Sequence, residues 1–531
     1  MVNRRQFLLT TGGAMGWVLW TDHQQQILAQ PRFSAYPFSL GVASGDPDAT
    51  SVVLWTRIAP DPLSGQPMPA VSIPVQWKIA VDAQMEQVVQ QGTVQADPRW
   101  GHAVHVVVEN LSPGQWYWYQ FQVGETTSPM GRTRTLPAPG ARIASLKFAY
   151  VSCQNYEHGF YTAYQHLAQE DLDLVLHLGD YIYEGDPRSS RPRQHVGPNP
   201  VDLATYRWRY ALYKSDPQLQ AAHAAFPFIC IWDDHEVEND YAKDKSQDFA
   251  DPAMFRQRRQ AAYQAYYEHL PLRPTAQPQD QNLQLYRRFA FGDLAEFHCL
   301  DTRQYRDDQA CDQNGKGGGQ VVFNCEERLD PKRSLLGFEQ ERWLLQGLAD
   351  ASTKWTVIAQ QMLMAELKQG VKSWVGHWSD GWDGYAATRD RIFEGIAQYQ
   401  PANPVVIGGD IHSFWVTDLK ADFQDPQSPV LATEFVGTSI SSGGPNPDLF
   451  TLALKSNPHI KFFESRYRGY VVCKVTPDRW IAHFRVVDQV EEPGAPLRTL
   501  ASFQIENGQP GAQRADGENQ LPLDQQPADE G

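Results

Sequence analysis

Positive charge is in short supply in this chain. Lys and Arg number 46 against 62 Asp and Glu, a formal charge of −16 over 531 residues. A general nucleic-acid binder shows a basic footprint, so no nucleic-acid partner is expected. An anionic substrate stays open, because bound cations can reverse a local field. After the first thirty residues no apolar run reaches the roughly 18 residues of a membrane span, so no stable membrane anchor is expected. There is no Gly-x-Ser-x-Gly elbow, the usual sign of a serine hydrolase on an α/β sheet. No internal repeat is visible. Cysteine is sparse, with six in all. What is abundant is core material: 42% hydrophobic residues, with 16 Trp, 22 Tyr and 24 Phe. Such a composition folds, and at roughly 150 residues per domain the length suggests two to four domains.

The chain opens Asn3-Arg4-Arg5-Gln6-Phe7-Leu8-Leu9, continues moderately apolar to Trp20, and reaches Ile27-Leu28-Ala29. A charged start, a short apolar middle and a small residue at the end describe an export signal over residues 1–29. The paired arginines resemble a twin-arginine signal, although Leu9 stands where Lys often follows. Passage through the twin-arginine translocase to the periplasm or the medium is expected. That route suits a protein that receives its metal before export. Cys311 and Cys325 flank a Gly-rich loop containing Gly315, Gly317, Gly318 and Gly319. In an oxidising compartment a disulfide there would staple the loop. Cys230, Cys299 and Cys473 stand in apolar runs and read as inert core residues.

Residues 33–137 read as short strands punctuated by Pro, Gly and Asp, an N-terminal all-β sandwich of the fibronectin or immunoglobulin kind. Tyr117, in Ser112-Pro113-Gly114-Gln115-Trp116-Tyr117, is placed as its corner tyrosine. His102 and His105 are three apart, point to opposite faces of a strand, and carry no metal spacing. A Pro/Gly linker follows, and from 145 to 505 apolar strands alternate with helical stretches, the pattern of a layered α/β domain. Strands are expected at 146–151, 174–178, 228–232, 294–300, 355–359, 405–407 and 432–436, closed by a hairpin at 470–475 and 480–486. From 506 to 531 the chain is rich in Gln, Pro, Asp and Gly and reads as a disordered tail.

Four of the strands end in groups that bind cations. They are Ser152-Cys153-Gln154-Asn155, Gly179-Asp180-Tyr181-Ile182-Tyr183-Glu184, Asp233-Asp234-His235-Glu236 and Gly409-Asp410-Ile411-His412. Ligands bind beyond the carboxyl ends of strands in α/β sheets, so these groups gather into one cleft. Carboxylates that dense cannot all ionise without cations nearby. A thiolate, a phenolate, a carboxylate and an imidazole suit a metal such as iron. Asp180, Asp234 and Asp410 form an oxygen-rich set that suits a hard cation such as calcium or magnesium. Turn and N-cap duty explains any one segment, but not all four after apolar strands.

Gly179-Asp180-x-x-Tyr183, the Asp-Asp-His-Glu run and Gly409-Asp410-x-His412 resemble the calcineurin-like metallophosphoesterases. The nearer resemblance is to the PhoD-like alkaline phosphatases. It extends through Phe38-Ser39-Leu40-Gly41-Val42-Ala43-Ser44-Gly45-Asp46-Pro47, Val53-Leu54-Trp55-Thr56-Arg57 and Asn457-Pro458-His459-Ile460-Lys461. The resemblance implies a layered metallophosphoesterase sandwich, two sheets flanked by helices, with ferric iron (Fe3+) and calcium (Ca2+) at one site. Cys153, Asp180, Tyr183 and His412 would hold the iron. Asp180 would bridge to calcium, with Asp234 and Asp410 as further ligands. Small phosphate esters would be the substrates, attacked by a metal-bound hydroxide or oxide. Purple acid phosphatases share the Gly-Asp-x-x-Tyr element, but carry Asn, His and Asp where this chain has Asp234, Asp410 and Cys153. Oxygen in place of nitrogen favours calcium over zinc. The family's late-strand His is absent, and Gln360-Gln361 stands there.

Asp180 and His235 are the candidate catalytic residues, with His235 contacting phosphate or protonating the leaving group. Asn239, Arg209 and His459 are candidate substrate contacts, with Arg207 beside them. A phosphodiesterase or phospholipase D-like hydrolase would use the same metals. A secreted calcium-dependent binding protein would not need the intact ligand set. Oligomeric state is not legible.

Overall fold

A computed structural model describes residues 33, 35–64, 68–248, 250–279, 282–312, 317–370 and 375–515. The export-type segment, residues 313–316 of the Gly-rich loop and residues 516–531 lie outside them. Every apolar run expected as a buried strand forms one. Consecutive residues show why. Val357 and Ala359 join one core while Ile358 joins another, and Val405 and Ile407 part from Val406 in the same way. Side chains alternate faces along a strand, so a strand covered on both faces must be apolar throughout.

Two mixed sheets make the body. In the larger, the strands Leu146–Val151, Leu174–His177, Pro227–Cys230 and Val42–Gly45 run parallel side by side. On one flank Arg468–Val475, Arg479–Val487, Leu497–Glu506 and Gln509–Arg514 continue it antiparallel, beginning with the expected hairpin. In the smaller, Ala295–Cys299, Trp355–Ala359, Pro404–Gly408 and Val430–Val436 are parallel neighbours. The sheets share one core. Phe148 meets Phe297 edge-on at 5.1 Å, Trp355 lies 5.8 Å from Trp480, and Phe414 stacks on Phe484 at 4.6 Å. Aromatic pairs of this kind add about 0.5–1.5 kcal/mol each beyond their buried area. Helices Phe338–Asp350 and Ala386–Tyr399 cover the other face of the smaller sheet. Helices Leu203–Lys214, Pro217–Ala225 and Pro252–His269 pack with the larger one.

The N-terminal segment differs from an independent sandwich. Ile73–Ala80, Val88–Ala96, Trp116–Val123 and Gly131–Arg134 do form a small sheet. Its partner is not a separate second sheet. Val42–Gly45, Val52–Arg57 and Ala103–Val108 extend the larger sheet, with Ser44 paired to Pro227 and Gly45 to Phe228. The junction depends on Gly45, where a Cβ would meet the carbonyl oxygens of Phe228 and Pro271 at 2.5 and 2.6 Å. The buried ion pair between Arg287 and Asp46, 2.6 Å, ties the same seam. Main-chain hydrogen bonding is invisible in local sequence, so the linker at residue 137 looked like a clean boundary. Tyr117 does close a corner, its hydroxyl accepting from the Ser112 N–H at 2.9 Å.

Of the tail expected from 506, residues up to 515 are ordered, and 516–531 lie outside the described residues. Gln509–Arg514 is an edge strand, with Phe503 opposite Arg514 and Gln504 opposite Gln513. Its Gln, Pro and Gly content matches an edge position, where only one side must hydrogen-bond. The Cys311–Cys325 disulfide is present.

Candidate metal centre

The chain turns sharply at the ends of the central strands. Cys153, Asp180, Asp410 and His412 have φ values of 58°, 57°, 63° and 53°, the left-handed region that non-glycine residues rarely occupy. Such backbone costs roughly 1–3 kcal/mol per residue and survives only where surrounding structure imposes it. Close approach supplies the imposition. A Cβ on Gly179 would fall 2.6–2.7 Å from Asp233, and one on Gly409 2.4 Å from the Ser152 hydroxyl.

These turns bring the predicted ligands together except Asp410, which joins none of the groups of ligand atoms among the described residues. Ligand atoms of Cys153, Asp180 and His412 lie within 4.8 Å of one another, and so do those of Asp180, Asp234 and His235. Asp180 belongs to both groups. Tyr183 completes the first: its hydroxyl donates to Asp180 Oδ2 at 2.7 Å, meets His412 Nε2 at 3.1 Å, and accepts from Ser442 at 2.9 Å. His412 Nδ1 faces the Gly443 carbonyl oxygen at 2.9 Å. A carbonyl can only accept, so Nδ1 carries the proton and Nε2 keeps its lone pair toward the cluster. Asp410, Ile411 and His412 are half-buried, so the cluster opens to solvent on their side.

The electrostatics describe a site loaded with protons. Burial, then the Asp180 and Asp410 charges, push the Cys153 thiol well up. Burial and Asp180 do the same to the Tyr183 phenol. Burial, with Asp234, Asp233 and Glu236, raises Asp180 well above the carboxylate range, and Asp410 is raised by burial and the neighbouring aspartates. Burial and Arg468 lower His412 to about 3, so its imidazole is neutral. Asp180 Oδ1 is buried with no hydrogen-bond partner. An unpaired buried carboxylate oxygen costs several kcal/mol unless a proton or a cation satisfies it. The donor set therefore fits a metal, which would displace these protons.

His235 belongs to the site by geometry. Its Nδ1 bonds Glu184 Oε2 at 2.7 Å, and its ring lies 4.1 Å from that of Tyr183. Burial works against its charge, but Glu184, Asp234 and Asp180 raise its pKa well above the usual value. Burial likewise opposes ionisation of Asp234, yet the Arg303 guanidinium and His235 outweigh it and hold Asp234 below the usual range.

Three of the expected substrate contacts have other employment. Arg209 is buried and donates to the backbone carbonyls of Tyr183, Gly185 and Pro198, so it holds the loop that carries Tyr183 and Glu184. Asn239 gives its side-chain amide to Gln247 and its backbone N–H to Glu184. His459 bonds the Glu366 carbonyl oxygen at 2.7 Å and packs on Phe423, among Arg389 and Asp383. Its position beside an Asn-Pro turn reflects packing, and among the described residues its hydrogen bond and ring contact go to Glu366 and Phe423, not to the cluster. Arg207 pairs with Glu268, next to Gly101 and Arg99 of the N-terminal segment. The two glutamines are structural. Gln361 ties the carbonyls of Trp232 and Leu300, and Gln360 receives Met362 N–H and Trp382 Nε1–H.

Other functional neighbours were not foreseen. Asp240 (φ 53°) and Asp380 join Asp234 in a third group of ligand atoms within 4.8 Å. Arg303, fully buried, bonds Asp233 Oδ1 at 2.5 Å and Asp380 Oδ2 at 2.8 Å and lies 3.8 Å from Asp234. Glu236 accepts the N–H groups of Asp180, Tyr181 and Asp233, which locks two strand-end turns together. Arg303 follows the Ala295–Cys299 strand, so the strand-end rule reaches it. Asp380 lies in a loop after a three-residue strand and carries no such signal.

Two stacked mixed sheets with a buried acid, thiol, phenol and imidazole cluster beyond the strand ends define a layered α/β enzyme. The N-terminal part matches the PhoD-like phosphatase, N-terminal domain family model over residues 22–137, and the larger part matches PhoD-like phosphatase over residues 148–484. The chain is 46% identical over 525 residues to alkaline phosphatase D of Bacillus subtilis (strain 168), covering 96% of this chain and 89% of that protein. A solved structure of PhoD superposes with a TM-score of 0.87 at 48% identity, over 91% of this chain and 93% of the other. The chain belongs to the PhoD-like phosphatase family and is a phosphoric ester hydrolase.

Proposed function

We propose that this protein is a metal-dependent alkaline phosphatase that releases inorganic phosphate from phosphate monoesters at an iron–calcium site. The observation that carries the reading is Asp180. One of its oxygens bonds Tyr183, the other is buried without a partner, and it belongs to both ligand groups. That is what a carboxylate bridging two cations requires. Cys153, Asp180, Tyr183 and His412 would hold iron, and Asp180, Asp234 and Asp410 calcium. Both bound cations would neutralise charge on the phosphoryl oxygens and activate water.

The chain's own groups then do the rest. Glu184 fixes His235 Nδ1 and keeps the ring cationic, which leaves Nε2 to contact the phosphoryl oxygens or to give its proton to the leaving oxygen. Arg303 holds Asp233 and Asp380 and so shapes the acid side of the cleft. Arg209 keeps the Tyr183–Gly185 backbone in place. Export is part of the same reading, supported by the Cys311–Cys325 disulfide, which belongs in an oxidising compartment.

The test is elemental analysis of the purified exported protein, with monoester and bis-ester chromogenic substrates assayed before and after calcium chelation. Iron near one per chain, and monoesterase activity that falls on chelation and returns with calcium, is the expected result. Zinc or manganese without calcium dependence would overturn the metal assignment. A strong preference for the bis-ester would make the enzyme a diesterase.

A further inference from the structure

The turn at 441–444 faces two ways. Inward, the Ser442 hydroxyl bonds Tyr183, and the Gly443 carbonyl accepts from His412. Outward, the same turn floors an open groove of about 360 Å³, walled by His158, Arg191, Arg466 and Arg468 and by the loop at 488–491. The groove therefore begins where the metal cluster ends.

Its charges do not cancel. Arg466 is neutralised by Glu464 at 2.6 Å, and Asp488 by Arg498 at 3.0 Å. Arg468 is buried, and its guanidinium bonds the carbonyl oxygens of His412, Ser442 and Ser465 and the Ser439 hydroxyl, none of them a carboxylate. Arg191 is half-buried and, among the described residues, forms no ion pair. Against these two cations stands Glu491. The field is felt locally: burial, then Arg191, Arg188 and Arg468, lower His158 to about 4. Gly444 keeps the floor open, since a Cβ there would strike Arg468 Nη2 and the Ser465 oxygen at 2.4 Å. In a chain with a formal charge of −16, a positive groove leading out of a phosphate site selects for anions.

We propose that this groove is a second anion subsite. It takes a phosphate group of the substrate other than the one being cleaved, and Arg191 is the residue that selects such substrates. The inference rests on the phosphatase reading of the adjacent cluster. Arg191 presents a planar fork that matches a phosphate, which gives it more reach and specificity than a point charge.

The experiment is steady-state kinetics of the full-length enzyme on a hexose bisphosphate, the matching hexose monophosphate and para-nitrophenyl phosphate, for the natural protein, Arg191→Ala and Arg191→Lys. The natural enzyme is expected to prefer the bisphosphate by about tenfold in kcat/KM. Arg191→Ala should lose that preference and keep the nitrophenyl rate, and Arg191→Lys should retain part of it. No preference in the natural enzyme, or one that Arg191→Ala leaves intact, overturns the subsite. So does an equal loss on all three substrates. An enzyme that cleaves none of them fails the phosphatase reading instead. Calorimetry with inorganic pyrophosphate and orthophosphate then still reads the groove: Arg191→Ala must weaken pyrophosphate selectively, or the subsite is wrong.

Discussion

Loading a divalent cation into the chelated protein should expel protons, and the number should fall with pH. Burial and the neighbouring charges of Asp380 and Asp234 raise Asp240 to about 8, and burial raises Asp233 to about 7 against the pull of Arg303. Asp180 and Asp410 are raised further. A carboxylate with a pKa of about 8 is roughly nine-tenths protonated at pH 7 and about one-tenth protonated at pH 9. Asp240 shares a ligand group with Asp234, so its ionisation beside a bound cation would release up to about 0.9 proton at pH 7, and the whole acid set more than one. The sign follows from linkage. These folded-state values exceed the unfolded ones, so their contribution to the metal-free fold is fully present below about pH 4 and is lost as pH rises through about 7 to 8. Cation binding reverses this, so affinity rises by about tenfold, or about 1.4 kcal/mol, from pH 7 to 9 for Asp240 alone. Calorimetry in buffers of different ionisation enthalpy measures the proton count. Release below about 0.3 proton at pH 7, or an affinity flat from pH 7 to 9, would refute the proton-loaded cluster.

Cys153→Ser should lower iron content and the rate together, read by elemental analysis beside the phosphatase assay; full iron with full rate removes Cys153 from the ligand set. Asp410→Ala should chiefly abolish the response to calcium, and an unchanged response counts against its role. Arg303→Met should cost about 3–5 kcal/mol in urea unfolding, because Asp233 and Asp380 lose a buried cation; a loss under about 1 kcal/mol contradicts the ion-pair account. His235→Gln should keep the metals and lower kcat by about 10²–10⁴-fold, whereas loss of metal with the rate would make His235 a support for Asp234.

Periodicity and chemistry along the chain determined a good deal. The buried strands were legible because a strand covered on both faces has no room for alternation, as Val357, Ile358 and Ala359 show. Cys153, Asp180, Tyr183, Asp234, His235 and His412 were legible because strand-end positions in α/β sheets converge on one edge. The Cys311–Cys325 pair was legible from its loop.

Tertiary structure alone decided which polar residues serve the cleft and which serve the fold. Arg209 and His459 look alike in sequence as phosphate contacts, yet both bond backbone carbonyls, Arg209 through its two Nη atoms and His459 through Nε2. Asp380 reaches Asp234 only because Arg303 and Arg306 hold its loop there. The left-handed backbone of the ligand residues is set by neighbours such as Asp233 and Ser152, remote in the chain. The N-terminal strands entered the catalytic sheet for the same reason. Main-chain hydrogen bonds carry no side-chain signature, so Ser44 opposite Pro227 is a fact of assembly. A local pattern specifies what a segment can bury or bind, and the long-range packing specifies against which partner it does so.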